Sequence, residues 1–160
     1  RRALQRFPMT SSKTSFAFEG DVALISVHPV YVEKIMSGEK NLEFRRIWPK
    51  RAIDTLVVYA THPQQRLAAI VQVAGVVRVS KTALWRVAAA EGGGITRQAL
   101  FDYFEGKELG VAIRLGKRIK LGSGLPPKKV FGASFRPPQS FRYLSDTEKL
   151  KVRALLEAAR

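Results

Sequence analysis

Cysteine is absent from the 160-residue sequence, and histidine occurs only twice, at His28 and His62. Disulfides and thiolate zinc sites are therefore excluded, and two imidazoles are too few for an ordinary structural zinc site. We expect neither a structural metal nor a cofactor. Each histidine stands directly before a proline, a setting in which a local capping role is a simpler interpretation than catalysis.

Long apolar runs are also missing. No segment approaches the length of a membrane span, and no signal-peptide core follows the basic first residues. We therefore expect a cytoplasmic protein without a membrane partner. A chain of 160 residues that is 46% hydrophobic can form one domain with a sizeable core and is too short for two ordinary domains. The sequence leaves the oligomeric state open.

Acidic residues are scarce. The chain has 28 Lys and Arg against 13 Asp and Glu, and its net charge of +15 favours RNA or another single-stranded nucleic acid as partner. A basic surface that only maintains solubility is the alternative. The excess is concentrated in residues 107–136, where glycines and prolines predict a flexible loop that could follow a phosphate backbone. The basic residues of this stretch are Lys107, Arg114, Lys117, Arg118, Lys120, Lys128, Lys129 and Arg136.

The most informative segment covers residues 25–48. Apolar residues at helical spacing predict a helix that ends at Gly38, and a strand with alternating residues follows. In that strand Glu43 and Arg45 share one face, which places a carboxylate and a guanidinium side by side. Lys40 precedes them at the turn. A surface ion pair that only keeps the strand soluble would give the same pattern.

This segment resembles the opening of the ASCH domain family. Family members often carry G-x-K-x-x-E-x-R, which here corresponds to Gly38, Lys40, Glu43 and Arg45. A second block, FRPPQSFRYL at residues 135–144, is similar to the closing segment of bacterial and archaeal members. The resemblance spans roughly residues 22–144 and implies an α+β fold. That fold is a small PUA-like mixed β-barrel with short interpolated helices and a C-terminal helix.

The chain divides into three parts. Residues 1–20 are basic and without a period, which predicts a mobile arm or an appended segment. Residues 21–145 form the predicted ASCH domain, and residues 146–160 form an amphipathic helix that packs on it through Leu150, Leu155 and Leu156. The predicted strands are 22–27, 42–48, 55–60, 67–79 with a bulge at Gly75, 109–115 and 118–121. The predicted helix N-caps are Ser80, Thr96 and Ser145.

The resemblance implies a ligand cleft beside the first helix, faced by Lys40 and Glu43. An ammonium can hold a phosphate, and a carboxylate can accept a hydrogen bond from an exocyclic amine of a base. Arg45 or Arg46 could bridge two phosphate oxygens. The cleft is therefore suited to a nucleotide.

Further residues are candidates for contact with nucleic acid. Trp48 and Tyr59 could stack on an unpaired base, although Trp48 is also hydrophobic enough to be a core residue. Basic side chains outside the cleft could contact the phosphate backbone. These are Lys117, Arg118, Lys120, Lys128, Lys129, Arg136 and Arg142.

Three functions are compatible with these residues. The first is a domain that binds RNA or a modified nucleotide within it. The second is a metal-independent ribonuclease, in which Lys40 stabilises charge on the phosphorane while Glu43 or Tyr59 moves a proton. The third is an amidohydrolase that acts on N4-acetylcytidine, as some small ASCH members do. Glu43 stands where that subgroup has a threonine, so the hydroxyl of that arrangement is missing here.

Overall fold

The computed structural model describes residues 20–159, which form a mixed α+β fold. The predicted arm of residues 1–20 lies outside this part of the chain except for Gly20. The strands are β1 Asp21–Val27, β2 Leu42–Arg45, β3 Ile53–Ala60, β4 Arg66–Ser80, β5 Leu109–Leu125 and β6 Phe141–Tyr143. The helices are α1 Pro29–Ser37, α2 Lys81–Glu91, α3 Arg97–Tyr103, α4 Pro127–Phe131 and α5 Asp146–Ala158.

The six strands form one curled sheet in the order β2-β5-β4-β3-β1-β6. Only β1 and β3 are parallel, and α1 and β2 lie between them along the chain. The edge strands β2 and β6 do not pair with each other in residues 20–159. They are joined instead by a side chain, because Arg45 of β2 donates to the carbonyl oxygens of Ser140 and Ser26 at 3.3 and 2.8 Å. We call the gap between the two edges the seam.

The local signals in the sequence are confirmed. The side chains of Ser80, Thr96 and Ser145 each accept a hydrogen bond from a backbone amide in the first turn of the next helix. His28 does the same for α1 through its Nδ1 atom, which supports a capping role for this residue. The register between β4 and β5 shifts next to Gly75, as expected for a bulge.

The prediction of a flexible basic loop is wrong. Residues 109–125 form one long strand that pairs with β4 along most of its length. Register shifts in this pairing accommodate its glycines without interrupting the strand. Strand β2 is also shorter than predicted and ends at Arg45, and neither α4 nor β6 was expected. The basic side chains of β5 are therefore held at fixed positions on a sheet.

The C-terminal helix α5 packs on one face of the sheet through Val152 and Leu156. Leu150, which was expected to face inward, has 64% of its surface exposed, so this expectation is wrong. The opposite face packs against α1, and a third apolar cluster joins α2 and α3 to β2 and β5. Among residues 20–159, no helix has both the length and the apolar character needed to cross a membrane.

Candidate functional site

A cavity of about 1010 Å³ lies at the seam. Its walls come from the end of β1, from α1, from β2 and the residues after it, from α3, and from the segment that leads into β6. Four residues predicted from the sequence line it together, namely Lys40, Glu43, Arg45 and Arg46. Small-molecule sites usually occupy about 300–1,000 Å³, so this seam cavity can hold a nucleotide.

Lys40 is the most buried charged residue of the seam cavity, with 2% of its surface exposed. Its Nζ atom donates to the carbonyl oxygen of Gly93 at 2.9 Å. The same nitrogen lies 4.9 Å from the ring centre of Tyr31 and 4.6 Å from that of Phe44. Two aromatic faces and one carbonyl therefore stabilise the ammonium in the absence of bulk water.

The glycine triplet at residues 92–94 shapes the backbone around Lys40. Gly94 has φ +64°, and a Cβ atom at this position would lie 2.7 Å from the Cβ of Lys40. Only glycine permits both this conformation and this close approach. A glycine directly after a helical segment is typical of a helix C-cap, and Gly92 does cap α2. The triplet also fixes the site lysine, which the sequence did not indicate.

Burial lowers the pKa of Lys40 to about 8, against the effect of Glu43, which raises it. Lys34 and Arg45 lower it further because they are cations nearby. At neutral pH the side chain is therefore still mostly a cation, and it is a stronger acid than an exposed lysine. Such a group can bind a phosphate and can also donate a proton near physiological pH.

Stability should depend on pH through Lys40. Its pKa is about 8 in the folded chain and 10.5 when exposed, so the folded state releases this proton first. The burial penalty is fully present below pH 8 and disappears as the pH rises to about 10.5. We expect the free energy of unfolding of the wild type, relative to Lys40→Met, to increase by on the order of 3 kcal/mol across this window. Denaturant titrations at both pH values measure this difference, and equal pH dependence of the two proteins would contradict it.

Glu43 and Arg45 form a buried ion pair. Arg45 Nη2 lies 3.3 Å from Glu43 Oε1, and each residue has 7% of its surface exposed. Glu43 Oε2 and Arg45 Nε are buried without a hydrogen-bond partner in the described chain. A buried charged group that lacks partners is costly, and such groups are retained mainly where a ligand or water satisfies them. Two residues that line the seam cavity thus carry one acceptor atom and one donor atom without partners.

Arg118 supports the site from the neighbouring strand. Its Nη2 atom donates to the carbonyl oxygen of Lys40 at 2.9 Å and to Oδ1 of Asn41 at 2.8 Å. This residue was predicted to contact nucleic acid, but its guanidinium holds the turn before β2. Arg118 therefore helps to fix the backbone at Lys40 and the side chain of Asn41.

Two other predicted contacts are likewise engaged within the fold. Arg142 binds both oxygens of Glu148 at 3.0 and 2.9 Å and so anchors the start of α5. This interaction holds the pKa of Glu148 below its usual value. Arg46 donates to the carbonyl oxygens of Tyr103 and Glu105 and fixes the end of α3. Arg46 remains exposed at the rim of the seam cavity.

Neither aromatic residue proposed for base stacking reaches the seam cavity. The ring of Trp48 packs 4.8 Å from that of Phe141 within the core and has 5% of its surface exposed. Tyr59 lies on the other face of the sheet, against Phe135, and lines a different cavity. The structure thus separates Tyr59 from Lys40 and Glu43, with which it was grouped as a proton-transfer residue.

The sequence missed several residues of the seam cavity. Tyr31 and Tyr103 contribute to its aromatic surface, and Ile47, with 70% of its surface exposed, lies at its rim. Burial is the main factor that raises the pKa of Tyr103, whose hydroxyl donates to the carbonyl oxygen of Phe44 at 3.2 Å. The one available signal was the alternation of the predicted strand 42–48, which places Ile47 on the same face as Glu43 and Arg45. Tyr31 is one of the apolar residues at helical spacing in the first predicted helix, a pattern typical of a core-facing residue.

The remaining predicted contacts are exposed. They are Lys117, Lys120, Lys128, Lys129 and Arg136. Lys117 and Lys120 lie on β5, and the others lie on α4 or in the segment after it. No group of three or more His, Cys, Asp or Glu side chains among residues 20–159 is arranged to hold a metal ion.

Comparison with known proteins gives a consistent result. The family model of the ASCH domain matches residues 25–117. A Zymomonas mobilis protein named ASCH domain-containing ribonuclease is 32% identical over 135 residues, which cover 83% of this chain and 90% of that protein. The crystal structure of ASCH from Zymomonas mobilis has a TM-score of 0.74 at 31% identity and covers 84% of this chain and 94% of that one. A tyrosine-to-phenylalanine form of the same protein also gives 0.74, at 29% identity, and covers 84% and 97%.

Proposed function

The chain belongs to the ASCH domain family, and from this premise we propose that it binds single-stranded RNA in the cytoplasm. The seam cavity receives one unpaired or modified nucleotide of that strand. A base within a duplex could not enter such a cavity, whereas an unpaired base can be turned out of the strand into it. The net charge of +15 supplies the long-range attraction.

The buried constellation of Lys40, Glu43 and Arg45 carries this proposal. Lys40 can bind a phosphate or a carbonyl oxygen of a base. The unpaired Glu43 Oε2 can accept from an exocyclic amine, and the unpaired Arg45 Nε can donate to a neighbouring acceptor. A nucleotide would thus satisfy groups that the protein alone leaves unsatisfied.

Binding by Lys40→Met tests the proposal. Methionine keeps the volume and removes the charge, so we expect the affinity for single-stranded RNA to fall by about 10- to 100-fold at pH 7 and low salt. Fluorescence polarisation with a labelled oligonucleotide measures it. Lys151→Met, on the exposed face of α5, is the matched control. Equal affinity of Lys40→Met and this control would exclude the seam cavity as the binding site.

Ribonuclease activity is the second candidate, and the name of the Zymomonas mobilis relative is consistent with it. The seam cavity contains the groups that RNA cleavage requires. Glu43 removes the proton from a ribose 2′-hydroxyl, whose oxygen attacks the adjacent phosphorus. Lys40 stabilises the charge that develops on the phosphorane and gives its proton to the departing 5′-oxygen as the P–O5′ bond breaks. The products are a 2′,3′-cyclic phosphate and a free 5′-hydroxyl.

A further inference from the structure

A second cavity, of about 750 Å³, lies on the other side of the segment that leads into β6. Its floor is formed by Tyr59 and Phe135, whose ring centres are 5.7 Å apart. Three cationic residues surround it, namely Arg66, Lys128 and Arg136. We call it the three-cation cavity.

Its charge is uncompensated. No acidic residue is among those that line the three-cation cavity. Within residues 20–159, the side chains of Arg66, Lys128 and Arg136 make no hydrogen bond or ion pair, in contrast to Arg45, Arg46, Arg118 and Arg142. Cations that line one cavity repel one another, and an anionic ligand would reduce this repulsion.

One stretch of backbone forms a wall of both cavities. Phe135, Arg136 and Pro137 line the three-cation cavity, whereas Gln139, Ser140 and Phe141 line the seam cavity. Between them, the carbonyl oxygen of Pro138 accepts a hydrogen bond of 2.6 Å from Ser26 Oγ. Along the chain, Pro138 alone separates the residues that line one cavity from those that line the other.

We propose that the three-cation cavity binds the phosphates that flank the nucleotide held in the seam cavity. The RNA strand then crosses the backbone at Pro138 and continues between Arg66, Lys128 and Arg136. This inference rests on the proposed function and assigns a path to the strand across the surface, from the seam cavity to the three-cation cavity. It also explains why the side chains of Arg66, Lys128 and Arg136 make no hydrogen bond or ion pair within residues 20–159. By contrast, Arg118 and Arg142, which were predicted to contact nucleic acid, are bound to other residues of the protein.

An oligonucleotide length series tests it. The affinity of the wild type should increase from a dinucleotide to an octanucleotide as the strand reaches the second cavity. The triple substitution Arg66→Gln, Lys128→Gln and Arg136→Gln should abolish this increase and leave dinucleotide binding unchanged. It should also reduce the slope of log affinity against log salt by about 2, the value for three single-strand phosphate contacts. All three residues are exposed, so the fold should be retained, and circular dichroism verifies this.

The matched control removes the same charge elsewhere. Lys50→Gln, Arg86→Gln and Lys151→Gln together change the net charge equally at exposed positions outside both cavities. An equal loss in both triple variants would overturn the inference, since total charge alone would then explain binding. The inference would also be overturned if Lys40→Met lowered the affinity for the octanucleotide while the triple substitution of Arg66, Lys128 and Arg136 did not. In that case the proposed function would remain intact. RNA binding that ignores Lys40 would instead refute the proposed function.

Discussion

For the proposed ribonuclease mechanism, Glu43→Gln is expected to slow the cleavage of single-stranded RNA by about 100-fold or more, the usual contribution of a positioned general base. Glutamine has nearly the same shape but cannot take the proton of the 2′-hydroxyl. Binding should change much less, because the amide oxygen still accepts a hydrogen bond. Separate measurements of affinity, with a 2′-O-methylated oligonucleotide that cannot be cleaved, and of single-turnover cleavage distinguish the two effects.

Contaminating nucleases are the main risk in this experiment. Wild type, Glu43→Gln and Lys40→Met must be purified identically and assayed with and without a chelator. Cleavage should persist in chelator if the activity is metal-independent, as the second candidate states. Equal cleavage by the three proteins would assign the activity to a contaminant, and RNA binding would then remain as the proposed function.

Arg45→Met is expected to lower the free energy of unfolding by about 3–5 kcal/mol, the usual loss when one partner of a buried ion pair is removed. The substitution leaves the carboxylate of Glu43 buried beside an apolar side chain. It also removes the hydrogen bonds to Ser26 and Ser140 that join the two edges of the sheet. Arg51→Met is the control, because Arg51 pairs with Asp21 at an exposed position and its loss should cost clearly less.

A double substitution identifies the origin of this loss. Combining Arg45→Met with Glu43→Leu removes both charges, so it should recover a substantial part of the stability lost in Arg45→Met. Urea denaturation of the single and double variants provides the comparison. If Arg45→Met were as stable as the wild type, the stabilising roles of the buried ion pair and of the Arg45 hydrogen bonds across the seam would both be contradicted.

Local structure was accessible from the sequence because it depends on neighbouring residues. A serine or threonine just before a helical pattern predicts an N-cap, and Ser80, Thr96 and Ser145 all fit this rule. The sequence predicted two short strands, 109–115 and 118–121, where β5 runs unbroken, because the glycines of this segment indicate turns. Pairing with β4 outweighs these signals, and such pairing between distant parts of the chain is not visible in local composition.

Only some residues of the candidate site could be predicted from the sequence. Lys40, Glu43 and Arg45 lie within six residues of one another, so a short motif places them together in one cavity. Arg118 and Arg142 were assigned to RNA because the sequence shows their charge but not their partners. Arg118 binds Lys40 and Asn41, and Arg142 binds Glu148. These partners depend on strand register and on the reach of a long side chain.

A crystal structure with a short 2′-O-methylated RNA strand bound tests the central claim most directly. We predict one base in the seam cavity, within hydrogen-bonding distance of Glu43 or Arg45, and an oxygen of the same nucleotide at Nζ of Lys40. A strand that lies only along the exposed lysines of β5, with the seam cavity empty at saturating RNA, would contradict the account.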